Sequence, residues 1–281
     1  MKQLILNSVW LLCWLAFSQV QAQTKTTEKV PYGNNPKAGA YVKAGNANIY
    51  YEVYGSGEPI LLLHGGIMGS IDEMTGFIEK LKRDHLVVAM ATRGHGKSEI
   101  GTAPITYELK ANDVLAVINA VTKDSITLLG FSDGAYTGYK VASMYPNRVK
   151  KLVAIGAGEQ IPGLRQVPAF SKERFDLESD FWKARLSLMP EPEKLEVFWK
   201  QMTQFYNTMV ASKELFNNIQ CPVLVLAGEL DRNAPLATVI AAYQMIPDSQ
   251  LGIVPNTGHV VFLENFDAVW ASVKPFLNAH D

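Results

Sequence analysis

Gly130-Phe131-Ser132-Asp133-Gly134 stands between a short apolar run, Ser125–Leu129, and a helical pattern over Asp133–Tyr145. G-x-S-x-G at a strand-to-helix junction demands a sharp, strained turn that lifts its central hydroxyl above a sheet. Side chains two positions to either side would crowd such a turn, and both positions are glycine. The junction therefore predicts a buried strand, an elbow at Ser132 and a helix opening at Asp133. A serine hydroxyl is a poor nucleophile unless geometry and a base activate it, so the rest of the chain must supply both.

The pattern around the elbow is regular from residue 40 onward. Ala40–Lys43 and Ala47–Tyr54 read as strands joined at Gly45-Asn46. Pro59–Leu63, Leu86–Met90, Lys151–Ile155, Val223–Ala227 and Ser249–Val254 are short apolar runs, the signature of strands buried on both faces. Helical patterns over Glu73–Lys82, Tyr107–Val121, Leu236–Met245 and Asn265–Leu277 lie between them. Strands alternating with helices imply an α/β fold: a mostly parallel central sheet with helices on both faces.

Residues 157–219 interrupt the alternation. Leu195, Phe198, Trp199, Met202, Phe205, Tyr206 and Met209 recur at helical spacing, and Phe175, Phe181, Trp182, Leu186 and Leu188 make a looser second pattern. We read 157–219 as a small helical cap inserted after the strand that follows the elbow helix. Its aromatic stripe either packs the cap onto the body or lines an apolar substrate pocket.

The first residues read differently. Lys2 precedes the apolar core Val9–Phe17, and a small-residue site ends at Ala22. Residues 1–22 are expected to be a signal peptide, since a nine-residue core falls short of the roughly 20 residues a spanning helix needs. That implies a periplasmic or secreted protein with no stable membrane anchor after cleavage. The polar stretch 23–39 is expected to be a flexible leader to a domain over 40–281. Cys221 would then be the only cysteine, leaving no internal disulfide. With 26 basic and 27 acidic residues, the chain carries no polybasic signature of nucleic-acid or membrane-surface binding.

The ordered motifs resemble the α/β-hydrolase superfamily, in its serine-nucleophile, capped, esterase-like branch. His64-Gly65-Gly66 follows an early strand and Arg93-Gly94-His95-Gly96-Lys97-Ser98 the next; then come the elbow, Gly228-Glu229-Leu230-Asp231, and Asn256-Thr257-Gly258-His259 after the last strand. The resemblance implies Ser132 as nucleophile, His259 as base and Asp231 as the acid that orients it, in the superfamily's order. Glu159 is the rival acid, because some relatives place it after the strand that follows the elbow helix. The oxyanion hole would use the backbone N–H of Asp133 and that of Gly66, with Ile67 as the alternative.

Of the other histidines, His85 and His280 read as surface positions, His95 sits in a Gly-rich turn and His64 belongs to the oxyanion loop. The Asp that relatives often carry two residues before the Arg of R-G-x-G-x-S is Ala91 here. The Asp133 carboxylate either serves structure or favours a cationic substrate group.

No His/Cys/Asp cluster has metal-ligand spacing, and Gly94–Ser98 lacks the spacing of a phosphate loop. Neither a cofactor nor a metal is expected. The expected partner is a small ester-like substrate, with lactone, thioester or amide as variants. Hydrolytic C–C cleavage of a diketone is the alternative reaction. Its substrates usually carry carboxylates, and Arg165, Arg174 and Arg185 are the cap cations that could meet one. A non-catalytic ligand-binding protein on the same fold is the rival from another class.

Overall fold

The computed structural model describes residues 30–279. The expected signal peptide and residues 23–29 of the leader lie outside them, as does His280. Eight strands form one sheet in the order β1-β2-β4-β3-β5-β6-β7-β8. They are β1 (Gly39–Ala44), β2 (Ala47–Gly55), β3 (Glu58–Leu63), β4 (His85–Met90), β5 (Ile126–Phe131), β6 (Val149–Ile155), β7 (Val223–Gly228) and β8 (Ser249–Val254). β2 runs antiparallel to both β1 and β4, and every other pairing is parallel.

Two-sided burial explains the apolar runs except Ser249–Val254, because β8 is the edge strand of the sheet and leaves Gln250 and Leu251 exposed. Leu61, Leu63, Val88, Met90, Leu128, Leu152 and Val225 join one core cluster with Val114, Val117 and Ile118 of α2 (Tyr107–Val121) and with Tyr139 and Val141 of α3 (Asp133–Met144). Their neighbours Ile60, Leu62, Val87, Val153 and Leu226 are equally buried and point to the opposite face, since strand side chains alternate. α1 (Thr75–Leu81) and α9 (Phe266–Asn278) contact the strands there, and Phe77 meets Phe266 at 5.2 Å between rings.

The leader differs from expectation where it is described. Tyr32 and Gly33 are buried against the body, while Pro31, Asn34, Pro36 and Lys37 stay exposed. Glu52 of β2 is fully buried, and its carboxylate needs donors. It accepts from Gly33 N at 2.8 Å, Asn35 N at 2.7 Å and the hydroxyls of Tyr50 and Tyr54, each at 2.8 Å. Two backbone N–H groups of the leader therefore serve a buried acid.

Between β6 and β7 lie α4 (Asp180–Leu186), α5 (Leu195–Thr208) and α6 (Lys213–Asn217). A single bridge, Gln160 to Ala211, closes the neck of the insertion. α6 packs on α3 and on α7 (Leu236–Met245), so the insertion rejoins the body before residue 219. Phe175 and Leu188 fall outside α4, and the second apolar pattern is helical only over seven residues.

Candidate active site

Ser132 sits at the end of β5 with φ 50° and ψ −115°, a left-handed conformation unusual for a non-glycine residue. The turn is fixed by Ser132 N donating to Ile155 O at 2.7 Å and by Tyr136 N donating to Ser132 O at 2.9 Å. A Cβ on Gly130 would stand 2.5 Å from Gly134 O, and one on Gly134 would stand 2.6 Å from His64 O. Both elbow glycines answer to close backbone approach.

His259 lies in the loop between β8 and the short helix α8 (Val261–Glu264). Its Nε2 is 2.9 Å from Ser132 Oγ and its Nδ1 is 2.8 Å from Asp231 Oδ2. The Asp231 side chain is wholly buried. Its other oxygen accepts from Asn233 N at 2.7 Å and Ala234 N at 2.9 Å. A carboxylate held this way keeps the imidazole proton on Nδ1 and leaves Nε2 free to accept the serine proton. Glu159 does not compete, because its carboxylate accepts from Ser212 Oγ at 2.5 Å.

The remaining interior histidines are struts. His64 Nε2 accepts from Thr92 N at 3.1 Å, so Nδ1 carries the proton and donates to Gly65 O at 2.6 Å. Burial lowers the pKa values of His64 and His95 to about 3, so both rings stay neutral. The R-G-x-G-x-S turn, which lacks an Asp at position 91, is held from α2 instead. Arg93 meets Asp113 through two bonds of 2.7 and 2.6 Å, both side chains buried.

Gly66 and Asp133 are adjacent, since a Cβ on Gly66 would press on Asp133 Cβ at 3.0 Å and on the Tyr206 hydroxyl. Asp133 N opens α3, where the helix dipole favours negative charge. Ile67, the alternative donor, is held at φ 61°. The Asp133 carboxylate is buried and takes a salt bridge from Lys110 of α2 at 2.5 Å, which neutralises it. Lys110 was not singled out from the sequence. The signal was present, because Lys110 and Asp113 occupy buried slots on the apolar stripe of α2.

A pocket of about 390 Å³ opens above Ser132. Body residues Gly66, Phe131 and Glu73 form its floor; Arg165, Phe170, Arg174, Phe175 and Tyr206 come from the insertion. Of the aromatic stripe on α5, Tyr206 alone lines this pocket, and Phe198, Trp199, Met202 and Phe205 are buried as packing. Glu73 Oε2 accepts from Gly65 N at 2.7 Å. Burial pushes the Glu73 carboxyl up, and the Gly65 bond opposes this. Arg185 is not in the wall: it bonds Met68 O and pairs with Asp72. Among the described residues, no group of three or more His, Cys, Asp or Glu could hold a metal ion.

A family model described as alpha/beta hydrolase fold matches residues 58–175. The chain is 27% identical over 256 residues to the serine hydrolase BPHL of Mus musculus, covering 85% of this chain and 86% of that one. It is 24% identical over 248 residues to the 2-hydroxy-6-oxo-6-(2'-aminophenyl)hexa-2,4-dienoic acid hydrolase of Metapseudomonas resinovorans, covering 80% and 86%. The solved structure of an enol-lactonase from Burkholderia xenovorans superposes with a TM-score of 0.70 at 20% identity, covering 85% of this chain and all of that one. With its elbow, sheet order and helical layers, the chain has the α/β-hydrolase fold.

Proposed function

We propose that this hydrolase cleaves a small carboxylic ester or lactone through an acyl-enzyme on Ser132. The continuous path Ser132 Oγ–His259 Nε2, His259 Nδ1–Asp231 Oδ2, at 2.9 and 2.8 Å, carries the reading. His259 takes the serine proton as Oγ attacks the carbonyl carbon. Asp231 steadies the imidazolium, and the N–H groups of Asp133 and Gly66 meet the oxyanion. His259 then protonates the leaving alcohol and activates the water that releases the acid. No step needs a cofactor. A fluorophosphonate probe tests this directly: it should label the wild type and leave folded Ser132→Ala unlabelled and inactive. Labelling that survives the substitution refutes the assignment.

The C–C hydrolase reading draws support from Arg165 and Arg174, two cations in the wall of the same pocket. The Metapseudomonas resinovorans relative is named for a dienoic acid, an anionic substrate. A panel of neutral esters, carboxylate-bearing esters, lactones and 2-hydroxy-6-oxo-dienoates separates the two. Recognition of a cationic ester by Asp133 is the less supported reading, because Lys110 already pairs that carboxylate.

Export is part of the proposal. The mature chain would begin at Gln23, after the apolar run Val9–Phe17. Intact mass of protein from the native host checks it, and a membrane-bound chain retaining all 281 residues would reject it.

A further inference from the structure

Arg185 belongs to the cap helix α4, yet its guanidinium reaches the body. Its Nε donates to Met68 O at 2.8 Å, and its Nη2 lies 3.4 Å from Asp72 Oδ1. The Phe181 ring stacks under it at 4.6 Å. Met68 is two residues from Gly66, on the loop that follows β3.

That loop is not self-supporting. Ile67 has φ 61°, a conformation disfavoured for a β-branched residue that persists only where its surroundings over-determine it. Inside the loop, Met68 N and Gly69 N both turn back onto Gly66 O, at 2.7 and 3.3 Å. Besides the His64 ring, which gives to Gly65 O at 2.6 Å, there are two side-chain holds from outside it. Glu73 of the body takes Gly65 N at 2.7 Å, and Arg185 of the cap gives to Met68 O. Gly66 stands between the two.

We infer that Arg185 is a positioning residue. Through the Met68 carbonyl, the cap sets the Gly66 N–H against the developing oxyanion. This rests on the assignment of Ser132 and Gly66 above. Donors act only when fixed before the reaction, and a misplacement of about 1 Å can cost roughly 100-fold in rate. The cap would then tune the chemical step without touching the substrate.

Arg185→Gln, Arg185→Lys and Asp72→Asn, assayed on p-nitrophenyl acetate, test the inference. This ester is small and neutral and offers an arginine nothing to bind. Arg185→Gln should lower kcat about 10-fold with KM within about twofold, and slow fluorophosphonate inactivation by the same factor. Arg185→Lys should stay within about threefold of wild type, because its long side chain can still carry a donor to the Met68 carbonyl, whereas the shorter Gln side chain cannot reach it. Asp72→Asn leaves the Met68 bond in place and should change kcat less than about twofold.

An unchanged kcat in Arg185→Gln overturns the inference. So does a raised KM at constant kcat, which would make Arg185 a substrate contact. If Arg185→Lys falls as far as Arg185→Gln with an equal drop in Tm, Arg185 only packs the cap. A loss in Asp72→Asn matching that of Arg185→Gln would shift the effect from the carbonyl to the ion pair. Turnover retained by Ser132→Ala is a separate failure: it removes the serine assignment, and this inference with it.

Discussion

Ser132, Asp231 and His259 each follow the carboxyl end of a strand, β5, β7 and β8 respectively. Arg165, Phe170, Arg174 and Phe175 come from an irregular stretch between β6 and α4. The first set is located by backbone: adjacent parallel strands fix where their ends lie, and short loops leave little freedom. The second is located by side-chain packing and by a few bonds to other loops, such as Arg165 to Asn233 O. One pocket thus has a floor set by sheet geometry and a roof set by local contacts. Substitutions in the floor should change rate, and those in the roof should change substrate preference.

The sharpest break with that division would come from Asp231. Asp231→Asn should reduce kcat by about 10⁴, because the amide favours the wrong imidazole tautomer. Glu159→Gln, which disturbs only the bond to Ser212, should stay near wild type. Steady-state kinetics on one neutral ester decides it. The reverse ranking would put the acid at the end of β6.

Beneath the floor, Arg93 and Asp113 test whether the body is as rigid as its geometry implies. Asp113→Ala strands a guanidinium whose side chain is 2% exposed. Breaking a buried pair in this way costs about 3–5 kcal/mol. Urea denaturation should show that loss with an unchanged slope. A loss under about 1 kcal/mol would mean that water or the Ala44 and Ile100 carbonyls already satisfy Arg93.

How much of this could be read from the chain follows the same division. The elbow, the strand runs and the positions of His259 and Asp231 were legible because each is a local pattern at a strand end. The cap was legible as an interruption in the alternation, but the orientation of its side chains was not. A stripe such as Leu195–Met209 looks the same whether it packs or lines a pocket, and only tertiary contact shows that Tyr206 faces Ser132. Arg165, Arg174 and Arg185 looked alike in the sequence; one turned away to hold Met68. The tie of Gly33 and Asn35 to Glu52 was not legible because backbone donors leave no mark in a sequence and Glu52 looks like any polar residue on a strand. The charges buried on α2 were visible as a breach in an apolar stripe, a signal that pattern reading passes over.

A smaller effect separates body from cap by pH. His64 and His95 titrate near 3 when folded, against about 6.5 when unfolded. Between these values the unfolded chain binds the extra protons, so stability rises with pH through the window and levels off above it. Each histidine should contribute a slope of about 1.4 kcal/mol per pH unit within the window. Urea midpoints from pH 7 to pH 5 measure it. His64→Gln should lower the slope by about half, and an unchanged slope would place the titrating groups elsewhere.

The smallest effect probes the roof alone. If Arg165 and Arg174 meet a substrate carboxylate, the double variant Arg165→Gln/Arg174→Gln should lose about 10-fold in kcat/KM on p-nitrophenyl hemisuccinate, the scale of one or two partly solvated charge contacts. On p-nitrophenyl butyrate it should stay within about threefold. The neutral ester is needed because Arg165 also bonds Asn233 O, next to the loop whose N–H groups hold Asp231. Arg174, exposed and bonded to Ala169 O at 3.3 Å, has no such tie. Arg174→Gln alone should therefore affect only the anionic ester. Arg165→Gln alone should show whether the cap reaches the acid of the floor. Equal losses on both esters from Arg165→Gln would mean that this arginine steadies the Asp231 loop, and that the boundary between floor and roof runs through its side chain.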